Sequence, residues 1–192
     1  MKTNIYNFDL YRYYGNKKIS LITKIFLPYS LKYIKVWRKA NNAYQKKFIL
    51  LKKYYLFRLR KYEKNFQFQI SPSTKIGYGL YIGHTGRIII NPETIIGNNC
   101  NIGTGVTIGQ ENRGIRKGSP IIGDKVWIGN NTTIVGKITI GNNVLIAPNS
   151  FVNFNVPDNS IVIGNPGKIV YNENATSNYI NNIVVDSSDK NE

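Results

Sequence analysis

The sequence predicts a mainly β chain: a parallel β-helix of six-residue repeats behind an α-helical N-terminal region. Three observations carry that expectation. From Ile76 to Val152 an aliphatic residue recurs every six positions, as in Ile76, Ile82, Ile96, Ile102, Ile108, Ile122, Ile128, Ile134, Ile140, Ile146 and Val152. Most of these are followed by Gly, and a small, aliphatic or β-branched residue such as Cys100, Val106, Val126, Thr132 or Val144 stands four places on. The charge is also split: residues 1–65 hold 17 Lys+Arg against 2 Asp+Glu, and residues 66–192 hold 9 against 8. A fixed short period marks a solenoid, and a period of six marks a parallel β-helix. A sandwich of short strands with Gly turns is the alternative, but its spacings would drift.

Residues 1–65 read as helical, with Ile19, Ile22, Phe26, Tyr29 and Tyr33 at spacings of three and four and a second pattern from Leu31 to about Tyr62. Pro28 should divide or bend them. Basic residues are interleaved throughout, with no groove-reading or base-stacking motif, so nucleic acid is not an expected partner. Two readings stay open for this region. One is peripheral contact with an anionic membrane surface. The other is a solvated face on a helical cap that packs on the coil or on a neighbouring subunit.

Residues 66–171 form the coil. Each hexad is one short strand and one corner, three hexads close a triangular turn, and about 13 hexads make a little over four turns. Gly after the aliphatic residue keeps the corner free of a Cβ. The count breaks twice. Ile88 to Ile96 is eight residues, which places two extra residues near Asn91-Pro92. Ile108 to Ile122 is 14, so residues 110–120, polar and basic, must leave the coil as a loop. A loop extruded from a regular solenoid is a candidate for function. Residues 172–192 are polar and Asn-rich, and a mobile tail is expected there.

A single cysteine, Cys100, forms no internal disulfide and falls on a small inward position, where buried filler is the simpler reading than a reactive thiol. The first 20 residues lack an apolar core and a small-residue cleavage site, so no secretory signal is expected. No run of 18 apolar residues suggests a spanning helix. The expected setting is cytoplasmic, with peripheral attachment at the inner membrane face as an extension of the basic N-terminal region.

Chemistry has few places to reside. His84 is the one histidine and sits at a corner two places after Ile82, where it is a candidate proton acceptor. One histidine does not make a three-histidine zinc site, and no metal is expected. There is no Gly-rich phosphate loop, Ser-His-Asp order or carboxylate pair.

The hexads, His84 in Gly-His-Thr-Gly-Arg, the eight-residue step and the 14-residue loop step resemble the serine O-acetyltransferase branch of the hexapeptide-repeat acyltransferases. The resemblance is strong over about residues 66–170 and implies a left-handed parallel β-helix. Asp9-Leu10-Tyr11-Arg12-Tyr13-Tyr14 is similar to the opening of members from capsule and surface-polysaccharide clusters, and Gly164-Asn165-Pro166-Gly167-Lys168 to the signature that closes the family's coil. The resemblance implies a homotrimer with acetyl-CoA between subunits and His84 as the general base toward an acceptor hydroxyl. It implies cofactor contacts at Gly129, Asn130, Ala147, Pro148 and Lys168, and an oxyanion held by backbone N–H groups.

The sequence departs from the family's pattern at three places. Gly83 stands where an Asp precedes the base. Gln69 stands where an acid orients the imidazole, and is the base-orienting candidate here. The loop reads Lys117-Gly118-Ser119-Pro120 where typical members have Asp-Arg-His-Pro. Asn112, Arg113, Arg116, Lys117 and Ser119 are then the candidate acceptor-binding groups. Because the groups that grip serine's charges are replaced, the expected acceptor is a sugar hydroxyl of a surface glycan or its precursor. Serine O-acetyltransferase activity is the alternative, and a non-catalytic β-helix scaffold the second. Missing nucleotide-binding domains argue against a sugar nucleotidyltransferase.

Overall fold

The computed structural model describes residues 4–185, so residues 1–3 of the N-terminal region and 186–192 of the expected tail lie outside the described residues. Four helices come first: α1 (Ile5–Tyr14), α2 (Leu21–Ile25), α3 (Tyr29–Gln45) and α4 (Ile49–Phe66). Pro28 is the N-cap of α3 and separates it from α2. The second helical pattern is broken at Lys46–Phe48, where Lys47 takes a positive φ of 57°, and α3 and α4 pack as an antiparallel pair through Tyr33–Tyr62 and Tyr29–Phe66 ring contacts.

The rest is a parallel β-solenoid. Its first coil holds β1 (Phe68–Ile70), β2 (Lys75–Ile76) and β3 (Tyr81–Ile82), and the second β4 (Ile88–Ile90), β5 (Ile95–Ile96) and β6 (Asn101–Ile102). The third holds β7 (Thr107–Gly109), β8 (Ile121–Ile122) and β9 (Trp127–Ile128), and the fourth β10 (Thr133–Val135), β11 (Thr139–Ile140) and β12 (Val144–Ile146). A fifth coil has β13 (Phe151–Val152), a single bridge from Val156 to Ile140, and β14 (Ser160–Ile163). Antiparallel β15 (Lys168–Tyr171) then closes that end. Three sheets result: the first joins β1, β4, β7, β10 and β13, the second β2, β5, β8 and β11, and the third β3, β6, β9, β12, β14 and β15. The aliphatic hexad residues stack in register down the interior, as Ile82, Ile102, Ile128 and Ile146 do in the third sheet, and are buried. At the corner between the second and third sheets a Cβ on Gly97 would overlap the Asp124 carboxylate and the Gly123 carbonyl. That corner is held by a column of side chains: Asn98 accepts from the Tyr78 N–H, Asp124 from Asn98, Asn142 from Asp124 and Asp158 from Asn142.

The register relocates one break in the hexad count. Ile90, not Ile88, aligns with Ile70 and Ile108. The interval from Ile82 to Ile90 is eight residues against six in the coils below, so the two extra residues lie at the corner of His84 and not near Asn91-Pro92. The misplacement has a simple cause: Ile88 and Ile90 both face inward, since strand side chains alternate with period two, and the count accepted either.

A solenoid ends in unpaired backbone groups, which must be covered or satisfied. Here α1 and α3 do so residue by residue along the first coil. Trp37 Nε1 donates to the carbonyls of Ile70 and Ser71, and Asn41 to those of Pro72 and Thr74. Arg38 donates to Ile76 and Gly77, and Arg12 to Gly79. Asp9 accepts from the Leu80 N–H, and the Tyr13 hydroxyl both accepts from and donates to Ile82. Asp9 and Arg38 are themselves a buried bidentate pair at 2.8 and 3.0 Å. The Asp9–Tyr14 segment is thus structural cover for the coil's first edge.

Residues 172–185 do not behave as the mobile tail expected from their composition. Asn99 exchanges two hydrogen bonds with the Val184 backbone, Asn101 donates to Tyr179, Asn143 donates to Glu173 and accepts from Thr176, and Ala175, Ile180 and Val184 are buried. Arg12 donates to Asn181, which ties this segment to α1. Among the described residues no helix is long and apolar enough to cross a membrane.

Several protons are locked into this interior. Burial pushes the Cys100 thiol up to about 12 from 9.0 and the Tyr6 phenol up to about 12 from 10.0, and raises Tyr13 and Tyr33 as well. These acids keep their protons in the folded chain where the unfolded chain gives them up, so stability falls as pH rises from 9 toward 12. Arg12 works the other way, because desolvation lowers it to about 10, but it is one group against four. Urea unfolding followed from pH 8 upward is expected to show stability declining above about pH 9; a constant or rising value over that range would contradict the burial of these groups.

Candidate active site

The corner between the third and first sheets carries most of the candidate residues. His84 follows β3 at this corner in the first coil, Gly103-Thr104 follow β6, Gly129-Asn130 follow β9, and Ala147-Pro148 follow β12. Lys168 pairs with Ile163 at the end of β14 and continues the same edge. With coils stacked about 4.8 Å apart, Asn130 lies about 10 Å and Pro148 about 14 Å along the edge from His84. The two-residue bulge lifts His84, Thr85 and Arg87 into solvent, and all three are exposed. Asn130, Pro148 and Lys168 are exposed as well, whereas Gly129 is buried. A Cβ on Gly129 would lie 2.6 Å from the Pro148 nitrogen, so close stacking of coils already requires Gly there.

The strand that presents His84 is braced from α1. Both backbone groups of Ile82 are taken by the Tyr13 hydroxyl, at 3.1 and 2.7 Å. The Tyr13 ring lies 4.4 Å from that of Tyr81, and the Arg12 guanidinium sits 6.0 Å above Tyr81. A Cβ at Gly83 would lie 3.3 Å from the Tyr81 ring, so the side on which typical members carry an Asp is here occupied by an aromatic face. Tyr13 and Tyr81 are therefore site-supporting residues that the motif reading missed; only the resemblance of Asp9–Tyr14 had drawn attention to that stretch. Gln69 is exposed in β1, opposite Ile89, and makes no hydrogen bond to the imidazole. Its base-orienting role has no support within one chain.

The loop of residues 110–120 leaves the corner between the first and second sheets, the other side of the first sheet from His84. It is a pinned hairpin. Glu111 and Gly118 exchange backbone hydrogen bonds at 3.0 and 2.9 Å, and the Lys137 N–H donates to the Arg116 carbonyl at 2.8 Å. Three acceptor candidates are already engaged: Arg116 with Glu111 at 3.3 Å, Ser119 donating to Asn91, and Asn112 accepting from Gln110. Arg113 and Lys117 are exposed cations without a partner among the described residues. Ile115, at the tip, is 97 % exposed. Within one chain, then, His84 lies with the cofactor candidates and the acceptor candidates lie apart. Among the described residues no three of His, Cys, Asp and Glu are grouped so as to hold a metal ion.

Comparison with known proteins follows the same outline. Residues 119–153 match the bacterial transferase hexapeptide family (six repeats). The serine acetyltransferase of Bacillus subtilis is 34 % identical over 150 residues, which are 77 % of this chain and 67 % of that protein. Serine acetyltransferase 2 of Arabidopsis thaliana is 35 % identical over 105 residues, or 55 % of this chain, and the chain spans only 32 % of that longer relative. Among solved structures, the Neisseria gonorrhoeae serine acetyltransferase in complex with serine superposes with a TM-score of 0.71 at 30 % identity, over 86 % of this chain and 67 % of that one.

Proposed function

Because the chain belongs to the serine acetyltransferase family, we propose that it transfers the acetyl group of acetyl-CoA to the hydroxyl of serine, with His84 as general base. The imidazole takes the hydroxyl proton as the serine oxygen attacks the thioester carbonyl. The tetrahedral intermediate then expels the CoA thiolate, which takes up that proton, and the products are O-acetylserine and CoA. One observation supports this assignment above the others: the two insertions into the six-residue period, the two-residue bulge and the long loop, bear the candidate base and the candidate acceptor groups.

The carbohydrate acceptor expected from the altered loop is corrected by the comparisons. The relatives are serine acetyltransferases, and one solved neighbour holds serine itself. The expectation failed because it weighed only the residues at the family's motif positions. Gly118 and Ser119 lack the Arg-His pair, but Arg113 and Lys117, on the same loop, have no partner among the described residues and can meet a carboxylate. A non-catalytic scaffold has no comparable support.

The proposed enzyme is a homotrimer with acetyl-CoA in the seam. The base and the loop lie on different corners of one chain, so a complete site needs the loop of a neighbouring copy beside His84. A fully exposed Ile115 at the loop tip suits such a contact. Asn130 and Pro148 then flank the pantetheine track, and Lys168 stands ready for a CoA phosphate. The test is product analysis. Incubation with acetyl-CoA and L-serine is expected to release free thiol in step with a serine heavier by one acetyl group in the mass spectrum. Thiol release that does not depend on serine would overturn the reading.

A further inference from the structure

The acetyl-transfer edge leaves unused a second feature, on the helices. A cavity of about 570 Å³ opens between α3 and α4, lined by Lys32, Arg58 and Lys61 together with the rings of Tyr29, Tyr62 and Phe66. No acidic side chain lines it. Beside it the chain displays apolar side chains that are largely exposed among the described residues. Leu21, Ile22, Ile25 and Phe26 of α2 and the turn after it are each about two-thirds or more exposed, and this turn runs directly into Tyr29 at the cavity. On α4, Leu50, Tyr54 and Phe57 follow one another at steps of four and three, which puts them on one helix face. That face leads to Arg58 and Lys61.

The electrostatics select the partner. Residues 1–65 carry 17 Lys+Arg and two acids. One of those acids, Asp9, is buried against Arg38, so Glu63 is the one acid this region presents. An exposed apolar turn beside a cationic, aromatic cavity matches the layered chemistry of an anionic bilayer, with acyl chains below and headgroup phosphates above. A second copy of the chain would bring the same excess of cations against this one.

We propose that this face docks on an anionic lipid bilayer, with a phospholipid headgroup phosphate held among Lys32, Arg58 and Lys61 and with Leu21, Ile22, Ile25 and Phe26 in the interfacial layer. The site is independent of acetyl transfer, so either assignment can fail without the other.

Co-sedimentation of the full chain with phosphatidylcholine vesicles, with and without phosphatidylglycerol, tests it. Binding is expected to vesicles containing phosphatidylglycerol at low salt, with little to phosphatidylcholine alone, and to weaken as salt rises. The triple variant Lys32→Gln, Arg58→Gln, Lys61→Gln is expected to bind about a hundredfold more weakly, at about fivefold for each cation near the surface. The double variant Ile22→Ser, Phe26→Ser is expected to lose at least about tenfold. These side chains are exposed, so circular dichroism of both variants should match the parent. Failure of the parent to bind anionic vesicles would overturn the proposal, as would parent-like binding by either variant. If the double variant keeps its vesicle binding but sediments as a smaller species, the apolar turn is instead an interface between copies, and the proposal is wrong.

Discussion

His84→Ala is expected to lower kcat/KM for acetyl transfer to serine by about 10²–10⁴, the usual contribution of a positioned general base. The side chain is exposed on a bulge and has no hydrogen bond among the described residues, so its removal costs the fold little. The loss should therefore appear at unchanged melting temperature. It should also fall mainly on kcat, because a proton is transferred only in the transition state. Near-parental turnover by the variant would exclude His84 as the base, and with it the assignment of the edge.

The second large effect is structural. Asp9→Ala is expected to destabilise the chain by about 3–5 kcal/mol, the cost of leaving a buried charge without its partner. Arg38 would keep its bonds to the Ile76 and Gly77 carbonyls, but the Leu80 N–H would lose its acceptor in the same step. At this chain length the change amounts to a fall in Tm of about 6–20 °C. Replacing both partners by apolar residues is expected to restore only part of the loss, since Arg38 also satisfies two carbonyls of the first coil. A Tm change below about 2 °C for Asp9→Ala would show that the pair is not what closes that end of the solenoid.

Much of the architecture is legible in the sequence because a six-residue coil is a local construction. Each corner needs its own Gly or small residue and each strand its own inward aliphatic, so the pattern is written where it acts. Where two inward positions stood two apart, as at Ile88 and Ile90, the pattern could not say which was the anchor, and the extra residues were assigned to the wrong corner. A helical cap was one of two readings of residues 1–65, but how it binds the coil was not legible. Its bonds run from Asp9, Arg12, Tyr13, Trp37, Arg38 and Asn41 to backbone groups tens of residues away, and in sequence those charges look like part of a solvated basic face. The segment after Tyr171 misled for a related reason. Asn and Thr are the composition of a disordered tail, yet Asn99, Asn101 and Asn143 on the coil supply its hydrogen bonds.

The candidate site was legible through the family resemblance, which drew attention to His84, Asn130 and Pro148, and the strand registers set all three on one corner. Its acceptor side was not. Which loop cations are free depends on the hairpin geometry that pairs Arg116 with Glu111 and leaves Arg113 and Lys117 unpaired. That distinction bears directly on serine, whose carboxylate must be paired if it is to leave water.

The steady-state kcat/KM for L-serine at saturating acetyl-CoA is the most direct measurement of the central claim. A value of about 10⁴ M⁻¹s⁻¹ or higher, within the normal range of enzymes acting on their own substrates, is predicted. A serine-dependent rate indistinguishable from the background hydrolysis of acetyl-CoA would contradict it.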